Sequence, residues 1–389
     1  MEVLYVNHTA AISGAERSLL SLLAALPDTV HPRAAAPRGP LTQALQRLGI
    51  PTSAIAGTAG SLRLHPLHTP RALAEMSLAA LQVRRAAARS HADLVHANSI
   101  RAGIVLALAH PRAATVVHVR DCLPPGALST ATMRLIAARS TTIVANSHYT
   151  ARSVSSAVPS ASVEVVHNPV DIERWDPTRI DRAPARAALG QAGERKALLG
   201  VVAQLSPWKA QHTAIEALEL LVAEGVDAHL LLIGSAKFVA SATRFDNDAY
   251  VAGLKATVAA AGLQERVSFL GEREDVPELV RALDVLMLPS TEEPFGRALI
   301  EAMALEVPVL ATAVGGPPEI IEDGREGYLL PPGEPTLWAR AARAVLDSED
   351  GGAAMGAAGR RRVLSAFTAD QHAAAMIQLY ESAVLASKA

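Results

Sequence analysis

Cysteine, aromatic residues and long apolar runs are scarce in this chain of 389 residues, and each scarcity removes a class of protein. The single cysteine, Cys122, leaves no internal disulfide and no thiolate zinc cage. Aromatics make up only 3%, and the 50% of apolar residues is mostly Ala, Leu and Val, a composition for packed helices and parallel strands rather than aromatic-rich β-sandwiches. That apolar share excludes disorder as the main state. No window reaches the roughly 18 uncharged apolar residues of a membrane-crossing helix, and Met1-Glu2-Val3-Leu4-Tyr5-Val6 has no basic stretch before its apolar run. A cytoplasmic protein is expected, in which the Asn7-His8-Thr9 sequon carries no meaning. The length allows two or three domains of about 150 residues.

Lysine is missing from the first 170 residues, which hold fifteen Arg against seven Asp plus Glu, a net of +8. The remainder carries 21 basic and 31 acidic residues, a net of -10, and ten of the 13 histidines fall in the first part. A basic half joined to an acidic half points the first toward an anion or a membrane surface, with compositional drift as the plain alternative. The Ala- and Arg-rich, Lys-poor usage is that of a high-GC bacterium. The stretch Ala72 to Arg89, where leucines and Met76 alternate with Arg84, Arg85 and Arg89, reads more readily as an ordinary surface helix than as one lying on an anionic membrane. His65-Pro66-Leu67-His68 has ligand-like spacing, but Pro66 argues for a loop.

Short apolar runs alternate with helical patterns in two series, the signature of βαβ units and parallel sheets. The first has strands at Val3–Val6, His31–Ala36, Asp93–Ala97, Thr115–Val119, Thr142–Ala145 and Val163–Val166. Helices are expected at Ala15–Ala25, Leu41–Leu48, Ala72–Ala88 and Ala131–Ala138. A charged stretch from Trp175-Asp176-Pro177 to Glu194 reads as a linker ending in solvated helix. The second series has strands at Leu198–Ala203, Ala228–Ile233, Val267–Leu270, Val285–Leu288, Val307–Ala311 and Tyr328–Leu330. Its helices fall at Thr213–Ala223, Asp248–Ala261, Val276–Ala282, Arg297–Ala304, Leu337–Leu346 and Asp370–Leu385. Two doubly wound α/β domains follow, with ligands at the carboxyl ends of their strands and a site in the cleft between them.

Four motifs stand at those strand ends. Ser13-Gly14-Ala15-Glu16 opens a helix after the first strand, where backbone N–H groups can meet an anion; the spacing is not that of a dinucleotide fingerprint. In Gln204-Leu205-Ser206-Pro207-Trp208-Lys209, an ammonium precedes a helix and can meet a diphosphate. Glu293-Pro294-Phe295-Gly296 and Glu301 place two carboxylates eight residues apart around a helix start. Each carboxylate can accept two hydrogen bonds from vicinal hydroxyls, so the pair suits two sugar rings with phosphates between them, although a hydrolase acid–base pair or a solvated face has the same residues. Gly315-Gly316 lies in a turn whose glycines permit close approach of backbone to a ligand.

From Gly200 to about Gly333 these signals, taken in order with Phe269-Leu270-Gly271, Asp284 to Ser290 and Glu319, resemble the C-terminal domain of the retaining glycosyltransferases of family four, which have the GT-B fold of two Rossmann-like domains facing across a cleft. The N-terminal half is similar to the same family more loosely, through Ser13 to Glu16, His118 at a strand end, Asn146-Ser147 and Val166 to Asp171. The resemblance implies an acceptor-binding domain over 1–175, a nucleotide-sugar-binding domain over 195–368 and a helix at 369–389 packing back toward the first. Lys209 would neutralise the donor diphosphate, Glu301 would bind the ribose and Glu293 the donor sugar. Backbone N–H groups at Phe295, Gly296 and Gly14 would contact sugar and phosphate, Gln204 and Arg297 would join the donor site, and His118 would reach the sugar from the first domain. Ser13, Glu16, Asn98, Arg120 and Asn146 are the acceptor-side candidates.

The implied reaction moves a hexosyl group from a nucleotide sugar, UDP- favoured over GDP-, to an acceptor hydroxyl with retention. A leaving-phosphate oxygen deprotonates the acceptor, domain closure excludes water, and no metal or other cofactor is required. A cell-envelope glycan, a natural product or a lipid-linked sugar would be the acceptor. Two residues depart from the family pattern. Gln204 stands where arginine is common, which puts more weight on Lys209 and the helix dipole, with Arg297 or Arg273 to help. Glu306 stands where a glycine is usual, so that turn is altered or a third carboxylate faces the cleft. A nucleotide-sugar epimerase of the same architecture and a non-catalytic sugar-nucleotide-binding protein remain as rivals; nucleic acid is excluded because the arginines lack interleaved aromatics.

Overall fold

Runs such as Leu94–Ala97, Ala228–Ile233 and Val285–Leu288 are apolar save for His96 and His229 and too short for helices, and each is buried along its whole length as an inner strand of a parallel sheet. The computed structural model describes residues 1–58, 68–190, 197–236 and 246–388, with the side chains of 68–72 excepted. The chain forms two units, Met1–Pro169 with Ala369–Ala389, and Val170–Thr368. His65 to Leu67 and residues 191–196, which include the last part of the expected linker to Glu194, lie outside the described residues.

In the first unit the order is β1 (Glu2–Val6), α1 (Gly14–Ala24), β2 (His31–Ala36), α2 (Pro40–Arg47), β3 (Thr52–Ala54), α3 (His68–Arg89) and β4 (Leu94–Ala97). It continues with α4 (Ile100–Ala109), β5 (Ala114–Val119), α5 (Ala127–Arg139), β6 (Thr142–Ala145), α6 (His148–Ala157) and β7 (Val163–Val165). The second unit runs α7 (Arg182–Ala187), β8 (Ala197–Val202), α8 (Gln211–Ala223), β9 (Ala228–Ile233), α9 (Asn247–Ala260), β10 (Val267–Gly271) and α10 (Val276–Arg281). Then come β11 (Val285–Leu288), α11 (Arg297–Ala304), β12 (Val309–Thr312), α12 (Pro317–Ile320), β13 (Gly327–Leu330), α13 (Pro335–Leu346) and α14 (Ala353–Ala366). The last helix, α15 (Ala369–Lys388), belongs to the first unit.

All strands pair in parallel, in the orders β3-β2-β1-β4-β5-β6-β7 and β10-β9-β8-β11-β12-β13. Each sheet therefore reverses its winding once, between β1 and β4 and between β8 and β11, and at such a reversal the loops at the strand carboxyl ends part to leave a ligand crevice. Alternation along β5 sends Val117 and Val119 to the core beneath α3, α4 and α5, and Val116 to the core beneath α1, α2 and α15.

The same alternation decides the fate of His118. It is fully buried on the α15 face, its ring 5.6 Å from His96 and 6.3 Å from His372, centroid to centroid. Tyr5 and Tyr380 complete the cluster, and the Tyr380 hydroxyl lies 2.5 Å from His96 Nδ1. Neither ring nitrogen of His118 has a hydrogen-bond partner among the described residues.

Several elements differ from the sequence reading. The linker helix α7 has no buried residue, as a solvated helix should, but it is tied down: Arg186 pairs with Asp284 at 2.9 Å, Arg182 pairs with the same carboxylate, and Ile180, Ala185 and Leu189 pack on the second unit's core. Helix α4 is buried almost all round, so its sequence has no polar stripe; it starts where Ser99 Oγ accepts the Ala102 N–H at 3.2 Å. Helix α6 starts the same way at Ser147, which accepts from Thr150 N–H at 3.0 Å. In α14, Gly356 stands so close to the Glu306 carbonyl that a Cβ would lie 2.1 Å from the oxygen. Glu306 itself has φ +60°, the left-handed conformation that makes glycine usual there. It closes the turn after α11 at the amino end of β12, near Arg281, so it does not supply a third carboxylate to the strand carboxyl ends.

Two outcomes are expected. Glu306→Gly relieves a left-handed side chain worth about 1 kcal/mol, part of which is offset by greater freedom of the unfolded chain. The melting temperature should rise by roughly 2 °C, read by calorimetry; a fall would mean that attraction to Arg281 outweighs the strain. Burial, reinforced by Arg120, holds His96 and His118 well below the ordinary histidine value. The unfolded chain takes up protons below about pH 6.5 and the folded cluster does not, so stability is full above that pH and falls by about 1.4 kcal/mol per unit per histidine below it. His118→Phe should lower that slope between pH 6.5 and 5 in urea titrations; an unchanged slope would remove His118 from the account.

Candidate functional site

At the reversal of the second sheet, Lys209 follows β8 and Glu293 follows β11, and their side chains meet: Lys209 Nζ lies 2.5 Å from Glu293 Oε2. Both are largely withdrawn from water. Three further contacts fix the pair. The ammonium sits 4.0 Å above the Trp208 ring centroid, the buried Ser290 hydroxyl donates to Glu293 Oε2 at 3.1 Å, and the Thr291 N–H donates to the Trp208 carbonyl at 2.9 Å. Lys209 ends a single 3₁₀ turn, Pro207–Lys209, and the next residue, Ala210, takes φ +49° to enter α8. An alanine in that conformation is strained, and the strain falls beside the charged pair.

The glycine turn also has a task within the fold. A Cβ on Gly315 would lie 2.0 Å from the Glu293 carbonyl oxygen, and one on Gly316 would lie 2.6 Å from the Phe295 Cα. Glu293 N–H donates to the Val314 carbonyl at 3.2 Å, and Gly316 N–H donates to the Glu293 carbonyl at 2.8 Å. These glycines let the β12 loop lie flat against the Glu293–Phe295 backbone, a close approach of chain to chain.

Gly296, at φ +106°, turns that backbone into α11. The first turn of α11 presents N–H groups without an intrahelical acceptor to the same strand ends. One turn further, Arg297 donates to Glu301 Oε1 at 2.7 Å, and both side chains are mostly buried. Phe295 is buried edge-on against Phe367, with ring centroids 6.1 Å apart, and holds the loop by its side chain while its backbone stays at the helix start. Gln204 is half-buried after β8, where its carbonyl accepts from Gln211 Nε2 at 2.9 Å. Of the two arginines considered as its helpers, Arg297 stands in this loop. Arg273 does not: it follows β10, the edge strand, and forms an exposed pair with Asp275 at 2.6 Å on the rim of a separate groove of about 380 Å³ between α7 and α10.

The first unit gathers its candidates at the other reversal. Ser13 and Gly14 are exposed at the start of α1, with Ser13 as its N-cap. Glu16 is buried beneath them and accepts from the Ser13 N–H at 2.9 Å, the Ser13 hydroxyl at 2.5 Å and Asn7 Nδ2 at 3.2 Å. Asn98 donates through Nδ2 to Asn7 Oδ1 and the Ala15 carbonyl, and its Oδ1 accepts from Arg120 at 2.9 Å. Arg120 also reaches Asn168 Oδ1 at 2.5 Å, and Asn146 Nδ2 donates to the Arg120 carbonyl at 3.1 Å. The structure thus brings Glu16, Asn98, Arg120 and Asn146 together as one buried network. Asn98 has both donors and its side-chain acceptor engaged, so it shapes the crevice rather than offering itself to a ligand. His118, fully buried one residue before the end of β5, does not join the accessible surface.

Sequence reasoning met Asn7 and His8 only as a sequon and Asn168 only within the Val166 to Asp171 motif, and gave none of them a role in the site. His8 Nδ1 lies 2.9 Å from Ser99 Oγ, and burial, with Arg101 nearby and Glu16 opposing, brings its pKa down to about 4. The signal for Asn7 and Asn168 was their place just past β1 and β7. Among the described residues no group of three His, Cys, Asp or Glu is arranged to hold a metal ion. No described helix is long and apolar enough to cross a membrane.

Comparison with known proteins converges on one family. The family model for glycosyl transferases group 1 matches residues 185–362, and that for glycosyltransferase family 4 matches 12–174. A D-inositol 3-phosphate glycosyltransferase of Mycolicibacterium gilvum is 30% identical over 349 residues, which span 85% of this chain and 70% of that protein. The lipopolysaccharide core biosynthesis mannosyltransferase LpsB of Rhizobium meliloti is 31% identical over 220 residues, 56% of this chain and 60% of that one. Anabaena HepE, solved in complex with UDP and glucose, superposes with a TM-score of 0.83 at 26% identity, covering 98% of this chain and 100% of that one. With two parallel α/β sheets, a lysine–glutamate pair at the reversal of the second, and these relatives, the chain belongs to the group 1 glycosyltransferases, the family-4 enzymes of GT-B fold.

Proposed function

We propose that this chain transfers a hexosyl group from a nucleotide sugar, UDP-linked in preference to GDP-linked, to an acceptor hydroxyl, with retention at the anomeric carbon and without a metal. The observation that carries the proposal is the Lys209–Glu293 pair joined across β8 and β11, with Arg297–Glu301 one helical turn beyond it. UDP and glucose in HepE support the donor class.

The chemistry follows from what the pair lacks when a donor arrives. Lys209 and Glu293 now satisfy each other; a diphosphate oxygen replaces the carboxylate at the ammonium, and the released carboxylate accepts the hydroxyls of the hexose. As the bond from the anomeric carbon to the phosphate oxygen breaks, negative charge gathers on the leaving diphosphate. Lys209 and the N–H groups opening α11 are already oriented toward it. Arg297 supplies the second cation that Gln204 does not, and holds Glu301 for the ribose hydroxyls. The leaving-phosphate oxygen takes the acceptor proton on the face it has just vacated. In the first unit the network of Glu16, Asn98, Arg120 and Asn146 positions the accessible Ser13 and Gly14 beside the acceptor. That acceptor is a small molecule, a glycan or a lipid-linked sugar of cell-envelope or natural-product biosynthesis, and the basic half adds peripheral contact with an anionic surface.

Release of nucleotide from UDP-, GDP- and ADP-sugars by the purified chain identifies the donor before any acceptor is known. Release of UDP is expected, and epimerised donor without release would overturn the transfer reading. Lys209→Ala should lower turnover by about 10²–10³-fold with the fold intact; near-normal turnover would reject its role at the diphosphate. Glu301→Ala should act chiefly through a raised donor KM, whereas a KM equal to that of the unaltered chain would dismiss the ribose assignment.

A further inference from the structure

Helix α3 is inside out. The residues it buries fully against the sheet are small, Ala79, Ala80, Val83 and Ala87, with Met76 half-buried beside them, while the large Leu73, Leu78 and Leu81 face away from the core. An ordinary surface helix does the reverse. The feature continues sideways. Helix α3 packs against α4, and α4 against α5, on one face of the first sheet. Leu108 of α4 and Leu128 and Leu135 of α5 are also exposed. Six of the ten exposed large apolar side chains among the described residues thus stand on these three neighbouring helices. Single exposed leucines need no explanation, but a group on one face marks an interaction surface.

Charge selects the occupant. Arg84, Arg85 and Arg89 of α3 and Arg134 and Arg139 of α5 are exposed among or beside the leucines, and Glu75 is the one acidic residue in the three helices. A second copy of this chain docking by the same face would set arginine against arginine. A plane of phosphodiesters accepts both features at once: guanidinium groups take the phosphates and leucines enter the acyl boundary beneath. We propose that the outer face of α3, α4 and α5 is a docking surface for an anionic lipid bilayer, with these helices staying folded on their sheet. The proposal does not depend on the donor reading, because none of these residues belongs to the second unit.

The test is flotation of the full chain with phosphatidylcholine vesicles prepared with and without phosphatidylglycerol. Capture by the anionic vesicles alone is expected, weakening as salt is raised. Arg84→Gln with Arg85→Gln should lower the partition by about fivefold per arginine, and Leu78→Ser with Leu81→Ser by at least about tenfold. Both variants should unfold in a single cooperative thermal transition close to that of the unaltered chain, which shows that they fold. If the unaltered chain stays with the buffer, or if both variants float as it does, the proposal fails. It fails equally if sedimentation shows a dimer that these substitutions dissolve, since the face would then belong to a second copy.

Discussion

A lysine and a glutamate from loops 84 residues apart share a hydrogen bond at the carboxyl end of the second sheet, and most of what surrounds them exists to keep that contact. Two charges withdrawn from water lose hydration, and the loss is recovered only where geometry is good and the remaining polar atoms are engaged. Here Trp208 covers the ammonium, Ser290 takes part of the carboxylate, and the Thr291–Trp208 bond ties one loop to the other. The glycines of the β12 loop then clamp the carboxylate's own backbone from the far side. The strained Ala210 fits the same logic, because the chain tolerates a left-handed alanine in order to turn from Lys209 directly into α8.

The pair stands where winding order alone would put a ligand. Strand β8 is followed in space by β9 and β10 on one side and by β11 on the other, so the connections after β8 and β11 run in opposite directions, the arrangement that opens a crevice at the strand carboxyl ends. The first sheet repeats the geometry with β1 and β4 but fills it differently. Amides and a guanidinium interlock below the surface there, and only Ser13 and Gly14 at the helix start stay open. A salt bridge in one sheet can exchange partners with an incoming phosphate. A network whose amide donors are already engaged is better suited to holding a shape.

Much of this was legible in the sequence because parallel strands advertise themselves. Runs such as Ala228–Ile233 and Val285–Leu288 have no polar face to confuse with a loop, and the ordered motifs from Gln204 to Glu319 sit at their ends. What escaped reading has physical causes. Helix α4 carries no period because it is buried nearly all round, and α14 contains glycines that usually break helices but here allow approach to Glu306 and Met303. The end of β5 at Val119 was read correctly, but which way His118 turns was not legible: alternation puts its imidazole under α15 rather than toward solvent. The Gly315-Gly316 turn was found, but a sequence cannot say whether a glycine makes room for a ligand or for another stretch of backbone. The structure adds the backbone neighbour: a Cβ on Gly315 would lie 2.0 Å from the Glu293 carbonyl oxygen.

The charge asymmetry shows the same limit of composition. A net of +8 over the first 170 residues describes no single feature, since its arginines stand in different surroundings. Arg120 is buried among amide oxygens, where its field lowers the basicity of His96 and His118 and helps keep that cluster neutral. The arginines of α3 and α5 stand in water near helix carboxyl ends, where the helix dipole favours them. The dipole explains a positive last turn. It does not explain why leucines share that surface while alanines fill the core side of α3, which is a packing choice and costs burial of apolar area that the same helix could have had by exchanging the two. A fold that gives up this much hydrophobic stabilisation on one helix either recovers it against something outside the chain or carries a defect, and the positive charge gathered on the same face argues for the former.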